Sequence, residues 1–345
     1  MKKKIGIVFL LLIISSFSLF AEVAATVRLN TLETITVEEL NSRVAEYQVQ
    51  AANANSPMPV NPLEVLDVMI NDALVLQGAT RDGYMLTDIQ VTSLVNQQKQ
   101  YLSEQAGQPV SDAQFELAIK QSYNMNLSEF KKILKDSTTV DQYVKGTQLN
   151  VINSFKEPTE EAINEFYRTN RAEFINPELV KISHIFMPFT AETKTAVKKE
   201  MDTVARFLRY NTYTFEELVP KYSKDLDSVN KGGDIGWLAY DDDNMKNALG
   251  AAFFEAVFAL DLGKPSGVLE SKGGYHIVKV TTHTDPKLLS ITDKINPDST
   301  VTVKQYIRQT LTNRSKQEAY LRAIDALVAK LRGEATIEIM YKGEM

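Results

Sequence analysis

Two histidines, an aspartate and a glycine-rich run are the residues of this chain whose types and spacing could do chemistry. In the stretch from Val180 to Phe186, the residues Val180, Ile182, His184 and Phe186 share one face of a strand by period-two alternation. Further on, His276 shares a strand face with Val278 and Val280. A histidine among apolar neighbours is either a hydrogen-bonded core residue or a group whose protonation serves a reaction, and each of these alone reads as the first. Between them, Tyr222-Ser223-Lys224-Asp225 ends a helix, Gly232-Gly233-Asp234-Ile235-Gly236-Trp237 forms a loop, and Phe253 and Phe258 fall on a second helix. The chain has no cysteine, which excludes a thiol nucleophile, a thiolate metal site, a disulfide and a lipid-modified N-terminal cysteine. Its only other histidine, His283, leaves too few for a multi-histidine metal centre.

Something must hold these residues, and 345 residues are enough for two or three domains. Lys2-Lys3-Lys4, an apolar run over 5–14 and small residues at Ala21, Ala24 and Ala25 make the three-part pattern of a secretory signal peptide. The run is shorter than the ~20 residues of a membrane span, so cleavage after Ala21 and no permanent membrane anchor are expected. The competing reading is an uncleaved N-terminal anchor. The formal charge is −6, and −9 without the three lysines, which together with the lack of a basic run excludes nucleic acid as the main partner.

Residues 23–35 read as one or two short strands. Thr36 with Glu39, Thr87 with Gln90, and Ser111 with Gln114 are capping boxes that open helices, and Asn61-Pro62 is a cap followed by proline at the first helical position. Ser128 starts a long helix, and Pro158-Thr159 another. The residues from 52 to 57 form a loop. After Asn176-Pro177 the chain becomes mixed, with strands over 180–186 and 275–281 and helices over 191–210, 214–222 and 248–259. Pro220 should kink the second of these. Thr302 with Gln305 opens a helix striped by Val303, Tyr306, Ile307, Leu311, Ala319, Ala323, Ile324, Leu327 and Leu331, which Gly333 ends, and Ile337, Ile339 and Tyr341 alternate as a last strand. The fold class is α+β: a mostly helical discontinuous domain carrying a small inserted domain with an antiparallel sheet. The expected divisions are a signal peptide over 1–21, an N-terminal helical region over 22–176, the mixed domain over 177–285, and a helix and strand over 286–345 that return to the helical region.

Ser183-His184-Ile185, Tyr222-Ser223, the Gly-Gly-Asp-Ile-Gly-Trp run and Gly274-Tyr275-His276-Ile277 resemble, in order and spacing, the motifs of parvulin-type peptidyl-prolyl isomerases over about 178–283. The flanks are similar to SurA/PrsA-type secreted foldases, and the missing cysteine is closer to a soluble SurA-like protein than to a lipid-anchored one. The resemblance implies that His184 and His276 are the paired core histidines, holding a hydrogen-bond network, and that Asp225 faces the substrate amide. It implies that Ile235, Leu249 and Phe253 line an apolar pocket for the proline ring, and that no cofactor or metal is required.

Some residues depart from that pattern. The segment between Gly236 and Leu249 is about six residues longer than usual and holds Asp241-Asp242-Asp243-Asn244-Met245, so Met245 rivals Leu249 for the pocket. The acidic run reads as a solvated loop, since three adjacent aspartates lack calcium-ligand spacing. Gly273 stands where many relatives carry a hydroxyl. No basic residue follows Phe186 up to Ala191, which argues against recognition of a phosphate. The implied function is a periplasmic peptidyl-prolyl cis-trans isomerase and chaperone acting on unfolded or partly folded secreted and outer-membrane polypeptides. The alternatives are a chaperone whose parvulin domain is catalytically idle, favoured by the acidic insertion, and a solute-binding or scaffold protein in which the motifs are coincidence.

Overall fold

A computed structural model describes residues 22–53 and 60–343; the signal-peptide segment and most of the loop expected over 52–57 lie outside them. The chain divides into two compact units, one formed by the residues up to Glu157 together with those from Thr312 onward, the other by Pro158–Leu311.

The first unit begins with strands β1 (Val23–Arg28) and β2 (Leu32–Thr36), then helices α1 (Val37–Asn53), α2 (Pro62–Arg81), α3 (Asp88–Ala106), α4 (Asp112–Tyr123), α5 (Leu127–Thr147) and the single turn α6 (Leu149–Ile152). Local chemistry sets the starts. Thr36 and Glu39 exchange their hydrogen bonds, and Thr87 and Ser111 do the same with Gln90 and Gln114. Asn61 caps α2 ahead of Pro62. The cap of α5 is Asn126 rather than Ser128, because Glu129 lies three residues after Asn126 and bonds back to its amide. The unit is completed by the later part of α12 (Val303–Glu334) and by β9 (Thr336–Ile339). Strand β9 pairs with β1, Ala25 opposite Ile339 and Arg28 opposite Thr336, in an antiparallel sheet of order β2-β1-β9. Ala323, Leu327 and Leu331, one stripe at four-residue spacing, enter one core with Val27, Leu66, Ile70, Leu74 and Tyr143. The two ends of the chain therefore close a common core, and neither apolar face could be buried by its own segment. Gly333 lies inside α12, where the burial of Leu331 outweighs the ~1 kcal/mol helix penalty of glycine.

The second unit holds α7 (Glu160–Thr169), β3 (Ile175–Asn176), β4 (Leu179–Pro188), α8 (Lys194–Arg209), α9 (Phe215–Tyr222), β5 (Asp234–Ala239), α10 (Asp243–Leu249), α11 (Ala251–Phe258), β6 (Leu269–Glu270), β7 (Gly274–Thr284) and β8 (Lys287–Leu288). Ile163 and Phe174 pack with Leu289, Val303 and Ile307, which draws the segment before Asn176 and the start of α12 into this unit. The junctions expected at 176/177 and 285/286 thus fall inside it, where β3 pairs with β8.

Four of these strands form an antiparallel sheet of order β5-β4-β7-β6. Strand β4 is buried on both faces. Val180 and Ile182 meet Val278, Val280, Phe253, Phe254 and Val257 on the α11 side. On the other side Ile185 and Met187 meet Ile277, Met201, Val204 and Leu218 of α8 and α9. Burial of a side chain such as Phe254, which is 0% exposed, contributes roughly 1.5–3 kcal/mol. The single helix expected over 248–259 is two, broken at Gly250, and the acidic run is not merely a solvated loop: Asp242 accepts the Met245 amide and caps α10.

Candidate active site

His184 and His276 sit on adjacent central strands, and the register places His184 opposite Val278 and Phe186 opposite His276. Both histidines lie on the face toward α11, as alternation requires, and their Nδ1 atoms approach to 3.3 Å. Asp225 reaches them because the end of α9 is clipped to β4. The Ser223 hydroxyl accepts the Phe186 amide at 3.2 Å, and the Lys224 amide donates to the Phe186 carbonyl at 2.7 Å. The next residue then places its carboxylate Oδ2 at 2.9 Å from His184 Nε2.

The row continues at both ends. The Ser228 hydroxyl donates to Asp225 Oδ2, and Ser271 Oγ lies 2.8 Å from His276 Nε2. Phe186 and Phe253 flank the His276 ring, each with centroids 4.6 Å away. The glycine run closes the site from the β5 side. The Gly233 carbonyl accepts the His184 amide at 2.9 Å, and a Cβ on Gly233 would stand 2.4 Å from the His184 carbonyl oxygen, at a φ of +79°.

Burial sets the charges. Desolvation lowers both histidines: His276 is pushed to about 3, with His184 adding to the effect, and His184 is lowered despite the opposing pull of Asp225. Both rings are neutral at neutral pH. Burial alone would raise the Asp225 carboxyl, but hydrogen bonds from Ser228, His184 and the Asp227 amide outweigh it and hold it below the ordinary carboxylate range. The Asp225 side chain is 22% exposed against 9% for His184, so it is where the charge of the row meets solvent.

Of the residues singled out from the sequence, His184, Asp225, His276 and Phe253 come together. Leu249 and Met245 both pack half-buried against the cluster that contains Phe253, so neither displaces the other. Ile235 is the extra residue of a bulge between β4 and β5; it is 36% exposed and outside that cluster. His283 pairs elsewhere, with Glu178 at 2.7 Å. Ser228 and Ser271 carry contacts that the motifs alone do not reveal; only their offsets from Asp225 and His276 could have pointed to them, whereas alternation already puts Phe186 on the face of His184.

No helix among the described residues is long and apolar enough to cross a membrane. A neutral histidine pair, a partly open carboxylate and aromatic walls set a single negative charge beside apolar surface, an arrangement that can act on the dipole of an uncharged amide. Residues 166–284 match the family model described as the PPIC-type PPIASE domain, so the chain carries a parvulin-type peptidyl-prolyl isomerase domain. Its curated relatives are foldases: it is 29% identical to the foldase protein PrsA 2 of Bacillus anthracis over 52% of this chain and 56% of that protein. It is 27% identical to a foldase protein PrsA of Clostridium botulinum over 60% and 58% of the two chains. The chain therefore spans less than two thirds of the length of these relatives. Among solved structures it aligns with one of two SurA-like chaperones of Campylobacter jejuni, at 14% identity and a TM-score of 0.38, over 92% of this chain and 99% of that one.

Proposed function

We propose that the chain is an exported foldase: a periplasmic peptidyl-prolyl cis-trans isomerase that also chaperones unfolded secreted and outer-membrane polypeptides. The observation that carries this reading is the His184–His276 pair, held between Phe186 and Phe253 and tied to Asp225, within the segment matched by the isomerase family.

Rotation about an X–Pro bond crosses a barrier near ~20 kcal/mol, and a 10⁴-fold acceleration, on the order of what an enzyme must supply, requires lowering it by about 5.5 kcal/mol. No bond is made or broken. The planar amide is dipolar, with negative charge on its carbonyl oxygen, and twisting removes that resonance. An anionic Asp225 beside the oxygen therefore disfavours the planar form more than the twisted one. Phe253 and Leu249 offer apolar surface for the proline ring, and Ile235, outside their cluster, adds an exposed apolar side chain at the β5 bulge. His184 and His276 position the carboxylate. The signal-like segment over 1–21 supports the exported setting. A protease-coupled prolyl-peptide assay on purified residues 22–345 tests the reading: turnover is expected, and its absence with intact folding would leave only the chaperone half.

A further inference from the structure

Ser228 is 1% exposed and three residues beyond Asp225. Its hydroxyl donates to Asp225 Oδ2, the same oxygen that faces His184 Nε2. Its carbonyl accepts the amides of Lys231 at 2.8 Å and Gly233 at 2.9 Å, and the Gly233 carbonyl in turn accepts the His184 amide. One residue thus meets the carboxylate, the glycine turn and, through that turn, the strand bearing His184.

We propose that Ser228 is a positioning residue that keeps Asp225 ionised and thereby fixes which nitrogen of each histidine carries the proton. The inference deepens the isomerase reading and rests on it for its effect on turnover. The row Asp225–His184–His276–Ser271 can hold its protons in two registers. In the first, Asp225 is a carboxylate and His184 carries its proton on Nε2. His184 Nδ1 then accepts from His276 Nδ1, and His276 Nε2 accepts from the Ser271 hydroxyl. In the second, Asp225 Oδ2 is protonated and donates to His184 Nε2. His184 then carries its proton on Nδ1, His276 carries its own on Nε2, and Ser271 turns its hydroxyl to the Gly274 carbonyl, 3.3 Å away. The two registers contain the same number of protons on the histidines and differ by the carboxyl proton.

The Ser228 hydroxyl selects between them. Hydrogen bonds to an ionised oxygen are roughly twice as strong as those to a neutral one, so a donor locked onto Oδ2 favours the first register. The Asp227 amide, at 3.2 Å from Oδ1, adds to the same preference. His184 faces the carboxylate from β4, and the side chain of Asp227 follows it in the same loop; no cation offsets the loss of the hydroxyl among the groups that shift Asp225. Because the row is buried and unbroken, the choice made at Ser228 is passed to His276 at the far end.

The test uses the full chain with ¹⁵N-labelled histidine. In wild type, nitrogen shifts should show His184 protonated on Nε2 and His276 on Nδ1. On lowering the pH through the carboxylate range the two patterns should exchange, and in Ser228→Ala that exchange, together with the acid limb of kcat/KM, should move up by about one pH unit, as expected for a carboxylate that loses a hydrogen bond. Ser228→Thr, which keeps the hydroxyl, should restore both. If the alanine variant fails to fold, Ser228→Cys, similar in size with a weak donor, carries the same measurement. An exchange at the same pH in the alanine or cysteine variant as in wild type would overturn the proposal, as would a threonine variant as altered as alanine. A wild-type chain without turnover would overturn the isomerase reading instead, and the nitrogen shifts would still decide the role of Ser228.

Discussion

Three glycines around the site separate two physical effects that are usually confounded. Gly236 has a φ of +85° and nothing within 4 Å of where a Cβ would be, so Gly236→Ala meets backbone strain alone, about 1–2 kcal/mol. Gly274 has no such φ, but its Cβ would stand 2.4 Å from the Met187 carbonyl oxygen and 2.6 Å from the Phe186 ring. Gly274→Ala therefore meets overpacking alone, about 1–3 kcal/mol. Gly233 combines a φ of +79° with a Cβ 2.4 Å from the His184 carbonyl oxygen, so Gly233→Ala should cost roughly the sum, about 2–5 kcal/mol. The assay is urea unfolding of the three variants with a common slope, read as shifts in midpoint. Gly233→Ala should also lose at least tenfold in turnover, since moving the turn breaks the hydrogen bond that seats His184, whereas Gly236→Ala should keep most of its activity. A Gly233→Ala variant no less stable than Gly236→Ala would show that the turn does not press on β4 and would refute this account of how the glycine run seats the histidine.

Asp225→Ala should lower turnover at least tenfold, about 1.4 kcal/mol of transition-state stabilisation, while melting stays cooperative; equal activity would remove the residue from the mechanism. Stability should fall as the pH drops from about 6.5 toward about 3, because the unfolded chain takes up a proton on His276 that the folded chain refuses, at up to ~1.4 kcal/mol per pH unit, with His184 acting in the same direction. Denaturation curves at pH 7, 6, 5 and 4 check this, and stability unchanged from pH 7 to 4 would contradict it. A phosphoserine-proline peptide should be turned over no faster than an unphosphorylated one, since Lys194 is bound to Glu270 at 2.6 Å and Lys198 to Asp202; a strong preference for phosphate would mean that these lysines serve the site. Ending the chain after Leu311 removes β9 and Ala323, Leu327 and Leu331 from the first core, so apolar dye binding should rise and suppression of client aggregation should be lost while turnover survives. A truncated chain with full anti-aggregation activity would count against the shared core.

What could be read from the sequence was whatever physics confines to a few residues. The pairs Thr36/Glu39, Thr87/Gln90, Ser111/Gln114 and Thr302/Gln305 cap helices as their spacing implies, because each bond closes within one turn. Alternation placed His184 and His276 on one face of their sheet, and an apolar stripe on α12 required a partner that only another segment could offer. Where neighbouring residues competed, local reading failed: both Asn126 and Ser128 can cap, and Glu129 decides. Phe174 and Leu289 meet although most of the second unit lies between them in sequence, and no periodicity records that contact. Within the site, the motifs marked the histidines, but a buried serine such as Ser228 or Ser271 looks in sequence like any surface hydroxyl.

On the proposed function, the parts of the site divide the task unequally. Apolar contact with the proline ring is nearly the same in the planar and twisted amide, so Phe253 and Leu249 bind substrate without distinguishing the two, and binding of that kind does not accelerate the turn. The discrimination must come from a group that responds to the carbonyl dipole, and in this row only Asp225 is both ionised and open to solvent. A carboxylate free to swing would follow the dipole and lose the distinction, because its reorganisation would stabilise each form in turn. Here it is held by His184, Ser228 and the Asp227 amide, His184 is held by His276 and the Gly233 turn, and His276 is held between Phe186 and Phe253. The histidines are therefore better understood as the rigid mount of a charge than as acids or bases, and their neutrality is what lets the mount be buried. A protonated pair at 3.3 Å in this setting would repel and open the sheet at the point where the charge must not move.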